Sequence, residues 1–147
     1  MEANTTPTNL LAGHRVPITG GARGLGLEFA RAAARHGAAV VIADILAEEA
    51  AQAASRLRAD GLNVWAEALD LADPASIEAC AAAAVQQLGG LDGLINNGAI
   101  TNSGGRSHAE LEPEVWDRVM SVNVRGTWLM IRACAGALKA SGRGAVV

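Results

Sequence analysis

Four glycines within seven residues, in Gly20-Gly-Ala-Arg-Gly-Leu-Gly26, lie between a short apolar segment and a stretch with helical periodicity. The apolar segment, residues 15–19, is predicted to be a β-strand, and residues 25–36 are predicted to be a helix that ends before Gly37. The start of such a helix has backbone N–H groups without partners, and its macrodipole makes this end electropositive. A strand, a glycine-rich turn and a helix in this order therefore predict a binding site for an anion such as a pyrophosphate.

Strand-like and helix-like segments alternate along the rest of the chain. Further strands are predicted over residues 38–43, 62–68, 91–95 and 142–147. Further helices are predicted over residues 47–60, 74–88 and 113–140, the last with a bend at Gly126, and a polar loop is expected over residues 101–108. Such alternation predicts an α/β fold with a Rossmann-type, doubly wound parallel sheet. We expect a polar tail over residues 1–12 and one domain over residues 13–147.

Composition and charge exclude several classes of partner. The formal net charge is -3, so no strongly basic face is expected and nucleic acid is not a predicted partner. No apolar run approaches the roughly 20 residues that span a bilayer, and no basic leader precedes the first strand, so no membrane contact is predicted. Cys80 and Cys134 lack CxxC spacing, and the histidines form no ligand pattern, so no metal site is expected. Small, buried cysteines favour a reducing compartment, and we predict a cytoplasmic protein.

An acidic residue, Asp44, ends the second predicted strand about 20 residues beyond the glycine turn. A carboxylate there can accept hydrogen bonds from both hydroxyls of an adenosine ribose, and it would repel a 2′-phosphate. This favours NAD over NADP as the ligand of a dinucleotide-binding domain. Arg23, within the turn, favours the opposite choice because an arginine can pair with a 2′-phosphate. The alternative for Asp44 is a cap for the helix that follows it.

The spacing Thr19-Gly20-x-x-x-Gly24-x-Gly26 resembles the TGxxxGxG signature of the short-chain dehydrogenase/reductases. Three later segments resemble the same family in the same order. Asp70-Leu71 matches the acidic position that bonds the adenine amino group, although a loop aspartate at a helix start is an alternative. Asn96-Asn97-Gly98-Ala99 resembles the family's NNAG segment, which lines the adenosine side of the cofactor, with its last two residues exchanged.

The fourth segment, Ser121-Val-Asn-Val-Arg-Gly126, resembles the part of the family's fourth helix that carries its active-site asparagine, here Asn123. In the family this residue holds a water in a proton relay, and the resemblance makes Asn123 the candidate catalytic residue. An asparagine that satisfies backbone groups at a helix bend is the alternative. The residues expected to contact the cofactor are Gly20, Arg23, Gly24, Leu25, Gly26, Asp44, Ile45, Asp70, Leu71, Asn97, Gly98 and Ala99.

The resemblance implies an NAD(H)-dependent oxidoreductase that acts on a secondary alcohol or ketone and assembles as a homo-oligomer. The family's catalytic Ser, Tyr and Lys follow the fifth strand, whereas this chain has no tyrosine, and Ser141 and its only lysine, Lys139, precede that strand. We expect a truncated domain that is inactive alone or that folds by association. The alternative is a non-catalytic nucleotide-binding or interaction module.

Two further expectations concern packing. Pro17 falls in the first strand, which is central in this fold, and it removes a donor from the sheet, so a loss of stability or a local distortion is predicted. The three tryptophans, Trp65, Trp116 and Trp128, are expected to pack in the protein rather than to stack on a ligand.

Overall fold

The computed structural model describes residues 9–101, 105 and 107–147. Five strands are present, and they are β1 Arg15–Thr19, β2 Ala39–Asp44, β3 Val64–Ala68, β4 Gly93–Asn96 and β5 Ala145–Val146. The helices are α1 Gly24–Arg35, α2 Ala47–Ala59, α3 Pro74–Leu88, α4 Pro113–Met120 and α5 Thr127–Ala140. Residues 1–8 of the predicted tail, and residues 102–104 and 106 of the predicted polar loop, lie outside the described residues.

The strands form one parallel sheet in the order β3-β2-β1-β4-β5. This arrangement confirms the predicted Rossmann-type fold. The chain builds outward from β1 to β3 on one side and then returns to place β4 on the other side of β1. Ligands of such sheets bind beyond the carboxyl ends of the strands at this reversal of strand order.

Helices cover both faces of the sheet. Successive side chains of a strand point to opposite faces, so alternate residues contact different helices. Along β2, Val40 and Ile42 belong to a core cluster with α1 and α2, whereas Val41 and Ala43 belong to a second cluster with α3 and α5. All four side chains are fully buried. The continuous apolar sequence of β2 is therefore that of a strand covered on both sides.

The long helix predicted over residues 113–140 is divided by a π-helical turn, Ser121–Gly126, between α4 and α5. The hydroxyl of Thr127 donates a hydrogen bond to the carbonyl oxygen of Asn123 at 2.9 Å, inside this turn. A Cβ on Gly126 would collide with the carbonyl oxygen of Leu71. Glycine at this position therefore allows the helix to approach the segment that follows β3.

Pro17 is fully buried in β1, and the pairing of β1 with β2 continues through it without a break. In a strand, every second residue directs its backbone N–H and C=O to the same neighbouring strand. The carbonyl oxygen of Arg15 accepts a hydrogen bond from the backbone N–H of Asp92, just before β4, so Arg15 and Pro17 both face β4. The nitrogen of Pro17 therefore faces β4, where registered pairing begins only at Ile18. The donor that Pro17 lacks is therefore missing on this side of the strand, and the expected loss of stability or local distortion stays a prediction.

Asp92 lies at the opposite, amino end of the sheet with its carboxylate fully buried. Its Oδ2 accepts a hydrogen bond from Nε of Arg15 at 2.7 Å, and its Oδ1 accepts one from Nε of Arg143 at 2.9 Å. These bonds, the one from Arg15 above all, outweigh the effect of burial and hold the pKa of Asp92 well below its usual range. The cluster joins the starts of β1, β4 and β5.

The tryptophans divide into two groups. Trp65 is partly buried against the second core cluster, as expected. The packing prediction is wrong for Trp116 and Trp128, which are 58% and 55% exposed. Both side chains are open to solvent, one on α4 and one on α5.

Cys80 and Cys134 are buried free thiols, as expected from the sequence. Desolvation raises the pKa of Cys80 to about 12 and that of Cys134 to about 11. Within the described part of the chain, no helix is long and apolar enough to cross a membrane. The same residues contain no group of three potential metal ligands.

Candidate functional site

A cavity of about 590 Å³ opens where β1, β2, β3 and β4 end, and we call it the strand-end cavity. Nine of the predicted contact residues line it, namely Gly20, Arg23, Asp44, Ile45, Asp70, Leu71, Asn97, Gly98 and Ala99. The other three, Gly24, Leu25 and Gly26, form the adjoining start of α1. The fold therefore brings together segments that are up to about 80 residues apart in the sequence, because parallel strands all end at the same edge of the sheet.

The glycine turn is built for close packing. Gly20 has a φ of 66°, a conformation that favours glycine, and its carbonyl oxygen accepts a hydrogen bond from Nδ2 of Asn97 at 3.0 Å. The same amide donates to the carbonyl oxygen of Thr19 at 3.1 Å. A Cβ on Gly26 would lie 2.6 Å from this amide nitrogen and would also collide with the carbonyl oxygen of Gly20. The start of α1 is therefore held against the ends of β1 and β4.

The amino end of α1 has no capping side chain. The N-cap residue, Arg23, makes no side-chain cap hydrogen bond, and the first turn contains no acidic residue. Unpaired N–H groups and the helix dipole make such an end attractive to an anion. Two apolar side chains at this end of the molecule are largely open to solvent, Leu25 at 70% and Ile45 at 64% exposure. The site thus offers an anion-binding helix end with apolar side chains beside it.

The carboxylate of Asp44 joins the glycine turn to the end of β2. Its Oδ2 accepts a hydrogen bond from the backbone N–H of Ala22 at 2.9 Å, and its Oδ1 accepts one from Leu46 at 3.0 Å. Leu46, not Asp44, is the N-cap residue of α2, and this helix has no side-chain cap hydrogen bond, so the capping alternative is wrong. A carboxylate has about four acceptor sites, and two remain for a ligand in the cavity.

Asp70 stabilises the loop between β3 and α3. Its Oδ1 accepts a hydrogen bond from the backbone N–H of Ala72 at 2.8 Å, and its own N–H donates to the hydroxyl of Ser76 at 2.9 Å. These are the contacts expected of a loop aspartate before a helix. Within the described residues, Oδ2 of Asp70 has no hydrogen-bond partner, so it is available to a donor in the cavity.

The exchanged segment Asn97-Gly98-Ala99 forms the wall opposite Asp44. The N–H of Gly98 donates to the hydroxyl oxygen of Thr19 at 2.9 Å, which fixes this segment to the end of β1. A Cβ on Gly98 would lie 2.9 Å from Cδ1 of Leu71. Gly98 is therefore closely packed, whereas Ala99, one residue later, is exposed at the cavity.

Asn123, the candidate catalytic residue, uses both polar atoms of its side chain on one neighbour. Its Nδ2 donates to the carbonyl oxygen of Ile100 at 2.7 Å, and its Oδ1 accepts from the N–H of Ile100 at 2.9 Å. Ile100 lines the strand-end cavity, and Asn123 does not. The backbone that Asn123 satisfies therefore belongs to the cavity wall rather than to its own helix.

Sequence reasoning missed two lining residues from the helical layer, Arg118 on α4 and Val122 in the π-helical turn. They are four residues apart and so share one face of a helix. Their position just before Asn123 was the available signal, but it does not show that this face is directed at the cavity. Arg118 and Arg23 are the two cations of the lining, and both are exposed.

A second surface feature is an apolar stripe on α4, the π-helical turn and α5. We call it the tryptophan face and define it as Trp116, Met120, Val124 and Trp128. These residues recur every fourth position and are between 38% and 58% exposed. The guanidinium of Arg132 lies 5.2 Å from the centre of the Trp128 ring and extends the stripe by one turn.

Known proteins share this sequence and this architecture. The family model described as short chain dehydrogenase matches residues 14–147. The sorbitol dehydrogenase of Cereibacter sphaeroides is 42% identical over 134 residues, which are 91% of this chain and 50% of that protein. The 3-alpha-(or 20-beta)-hydroxysteroid dehydrogenase of Mycobacterium bovis is 38% identical over 137 residues, 93% of this chain and 51% of that protein.

A solved structure gives the same result in three dimensions. The crystal structure of a dehydrogenase/reductase from Sinorhizobium meliloti 1021 superposes with a TM-score of 0.83 at 34% identity, over 90% of this chain and 52% of that one. The chain thus spans about half the length of the relatives that it matches. The family model, the relatives and the fold agree, and the chain belongs to the short-chain dehydrogenase family of oxidoreductases.

Proposed function

We propose that the strand-end cavity binds NAD(H) and that the chain forms the cofactor site of an oxidoreductase acting on secondary alcohols or ketones. One observation carries the proposal: the uncapped start of α1 and the carboxylate of Asp44 border the same cavity. A helix start is suited to a pyrophosphate, and a carboxylate at the end of the neighbouring strand is suited to ribose hydroxyls. One dinucleotide satisfies both.

The residues of the cavity fit the remaining parts of this ligand. Arg23 and Arg118 supply positive charge for the phosphates, and Oδ2 of Asp70 can accept a hydrogen bond from an adenine amino group. Leu71 and Val122 offer apolar surface for a planar ring. The expected contacts of Gly20, Asn97, Gly98 and Ala99 are backbone contacts along the turn and the opposite wall. Gly24, Leu25 and Gly26 present the helix start itself.

We propose NAD as the preferred cofactor. Asp44 is 9% exposed, and its charge is already used to hold two backbone N–H groups. A 2′-phosphate beside it would suffer like-charge repulsion in a partly desolvated position. Arg23 is exposed, so its attraction for the same phosphate is weakened by solvent.

Calorimetric titration with ADP-ribose tests the adenosine half of the proposal without the nicotinamide. We expect saturable binding that is lost in Gly24→Val, because Gly24 has a φ of 59° that valine rarely adopts. A thermal-unfolding profile of the variant separates loss of the site from loss of the fold. If ADP-ribose and NADH both fail to bind the folded wild-type protein, the proposal is wrong.

A bound nicotinamide supplies the hydride acceptor or donor of the reaction. The part of this chain is to bind and orient it, and Asn123 contributes by fixing the backbone of Ile100 in the cavity wall. The 147 residues contain no tyrosine to serve as a proton donor and acceptor for the substrate oxygen. We therefore propose that this chain, by itself, binds the cofactor without turnover.

The relatives support an alcohol as the substrate, because their names specify the oxidation of sorbitol and of a hydroxysteroid. They favour an oxidoreductase over a non-catalytic module. Incubation of the purified protein with NAD⁺ and either alcohol, followed by the absorbance of reduced nicotinamide, tests whether these residues oxidise an alcohol without a further proton donor. We expect no turnover by the 147 residues alone. Turnover by these residues would contradict the proposed need for a further proton donor.

We propose that a second copy of the chain covers the tryptophan face. Its four apolar side chains are exposed next to one another, and contiguous exposed apolar surface is typical of protein–protein interaction sites. Asp117 and Arg125 line the groove along it, and two antiparallel copies would place these opposite charges against each other. Light scattering after size exclusion should give a dimer or larger, and Trp128→Glu should give a monomer. A monomeric wild type would contradict the proposal.

The unpaired cysteines favour a cytoplasmic location.

A further inference from the structure

Leu71 is placed between two glycines that belong to different elements. A Cβ on Gly98, after β4, would lie 2.9 Å from Cδ1 of Leu71. A Cβ on Gly126, at the end of the π-helical turn, would lie 2.9 Å from Cβ of Leu71 and would collide with its carbonyl oxygen. The space that Leu71 occupies therefore exists because two neighbouring residues have no side chains.

The two contacts differ in what could move. At Gly126 the added atom would meet the backbone of Leu71, which cannot shift without moving the loop between β3 and α3. At Gly98 the tightest contact would be with the end of a flexible side chain, Cδ1 of Leu71, whereas Oγ1 of Thr19 and the backbone nitrogen of Gly20 would lie at 3.1 and 3.2 Å, where a small shift suffices. The most severe contact at Gly98 can therefore be relieved by a change in the Leu71 side chain, whereas that at Gly126 cannot.

Leu71 has a closed side and an open side. It is 9% exposed and belongs to the second core cluster, which is close-packed beneath the sheet. It also lines the strand-end cavity next to Asp70. A side chain displaced by a methyl group on residue 98 would therefore move toward the cavity, because that is where unoccupied space lies.

We propose that Leu71 and Gly98 are a matched pair that sets the width of the strand-end cavity beside Asp70, and that this pair determines how well an adenine ring fits there. The proposal rests on the proposed binding of NAD(H). The family's NNAG segment has alanine where this chain has Gly98, and the missing methyl leaves the space that Cδ1 of Leu71 enters. The exchange to NNGA thus provides the space in which the side chain of Leu71 packs.

The test is a double-mutant cycle on Gly98→Ala and Leu71→Val, with NADH and AMP as the probes. AMP reports on the adenosine end alone. We expect Gly98→Ala to weaken the binding of both probes by about tenfold, as overpacking does, and Leu71→Val to weaken it less. The double variant should bind within about threefold of the wild type, because valine lacks the δ carbons that the added methyl would meet.

Gly126→Ala, alone and with Leu71→Val, is the matched control. Its collision is with backbone, so valine at residue 71 should give no rescue of binding or of the thermal-unfolding midpoint. If Gly98→Ala does not fold, recovery of folding on adding Leu71→Val supports the pairing, and continued failure to fold contradicts it.

The outcomes separate the two proposals. If the wild-type protein binds neither NADH nor AMP, the proposed function fails and the role of the pair in adenine fit fails with it. If the wild type binds both, and the double variant is as weak as Gly98→Ala or weaker, the matched pair is wrong and the proposed function stands. Equal rescue of Gly126→Ala and Gly98→Ala would also overturn the pair, since it would show a general gain of stability.

Discussion

The Oδ2 atom of Asp44 accepts a hydrogen bond from the backbone N–H of Ala22 at 2.9 Å. This bond links the end of β2 to the glycine turn that follows β1, so one carboxylate shapes the turn and borders the cavity beside it. A hydrogen bond between a carboxylate and a buried N–H is stronger than one between neutral groups. Substitutions of Asp44 are therefore expected to alter both the turn and the choice of ligand.

Asp44→Asn removes the charge and keeps part of the hydrogen bonding. The asparagine has one acceptor oxygen, which can still bond the N–H of Ala22, while the N–H of Leu46 loses its acceptor. The asparagine has no charge to repel a 2′-phosphate. We expect the affinity for NADPH relative to NADH to rise by about tenfold, the change that corresponds to about 1.4 kcal/mol. Asp60→Asn, at the end of α2 and away from the cavity, is the control for loss of one charge. An unchanged preference in Asp44→Asn would remove this residue from the selection.

Asn123→Ala tests the link between the π-helical turn and the cavity wall. The change removes two hydrogen bonds and leaves the N–H and C=O of Ile100 without these partners. We expect the free energy of unfolding to fall by about 2 kcal/mol, measured by urea denaturation, and the Ile100 amide to exchange its hydrogen faster. The exposed Asn63, replaced in the same way, should change neither. Unaltered exchange at Ile100 would contradict this role.

The lowered pKa of Asp92 determines how the free energy of unfolding depends on pH. Because the pKa is lower in the folded protein than in the unfolded chain, the ionised carboxylate stabilises the fold above the unfolded pKa of about 3.9. This stabilisation is lost as the pH falls through the folded-state pKa. At pH 7, Asp92→Asn should lower the free energy of unfolding by about 2 kcal/mol. This is less than for a fully buried ion pair, because Arg143 is 49% exposed. Below pH 4 the variant should lose stability less steeply than the wild type, and parallel acid profiles would contradict this account.

Pro17→Val restores a donor to β1 on the side that faces β4. The proline is fully buried, and valine has a similar size and a preference for strands. We expect the variant to be more stable by about 1 kcal/mol in urea denaturation, the usual net value of one hydrogen bond. Pro74→Ala, at the exposed start of α3, should change stability much less. A variant no more stable than the wild type would show that the β1–β4 ladder does not need this donor.

The sequence was most informative where local rules and the fold agree. Each apolar run that ends at a glycine or an acidic residue became a strand of the parallel sheet, and the segments after these strands meet at the cavity. Parallel topology alone requires this meeting, so Asp44, Asp70 and Asn97 could be grouped before any geometry was known. Their hydrogen-bond partners could not, because Ala22 and Leu46 carry no side-chain signal.

The remaining features depend on packing between distant segments. The π-helical turn adapts to Leu71, some 50 residues away along the chain, and no local pattern indicates that contact. Arg118 lines the cavity because the fold brings α4 next to the ends of the strands. Trp116 and Trp128 were expected to pack in the protein rather than to stack on a ligand. Both are exposed, and no local pattern in α4 or α5 indicates which of their side chains the fold covers.

The most direct test of the central claim is a titration of the purified protein with NADH and, separately, with NADPH, following energy transfer from tryptophan to the reduced nicotinamide. The account predicts saturable binding of both, with NADH bound about tenfold more tightly, because Asp44 accepts ribose hydroxyls and repels a 2′-phosphate. Tighter binding of NADPH would mean that Arg23 dominates the site. No binding of either by a folded protein would contradict the assignment of the strand-end cavity as a cofactor site.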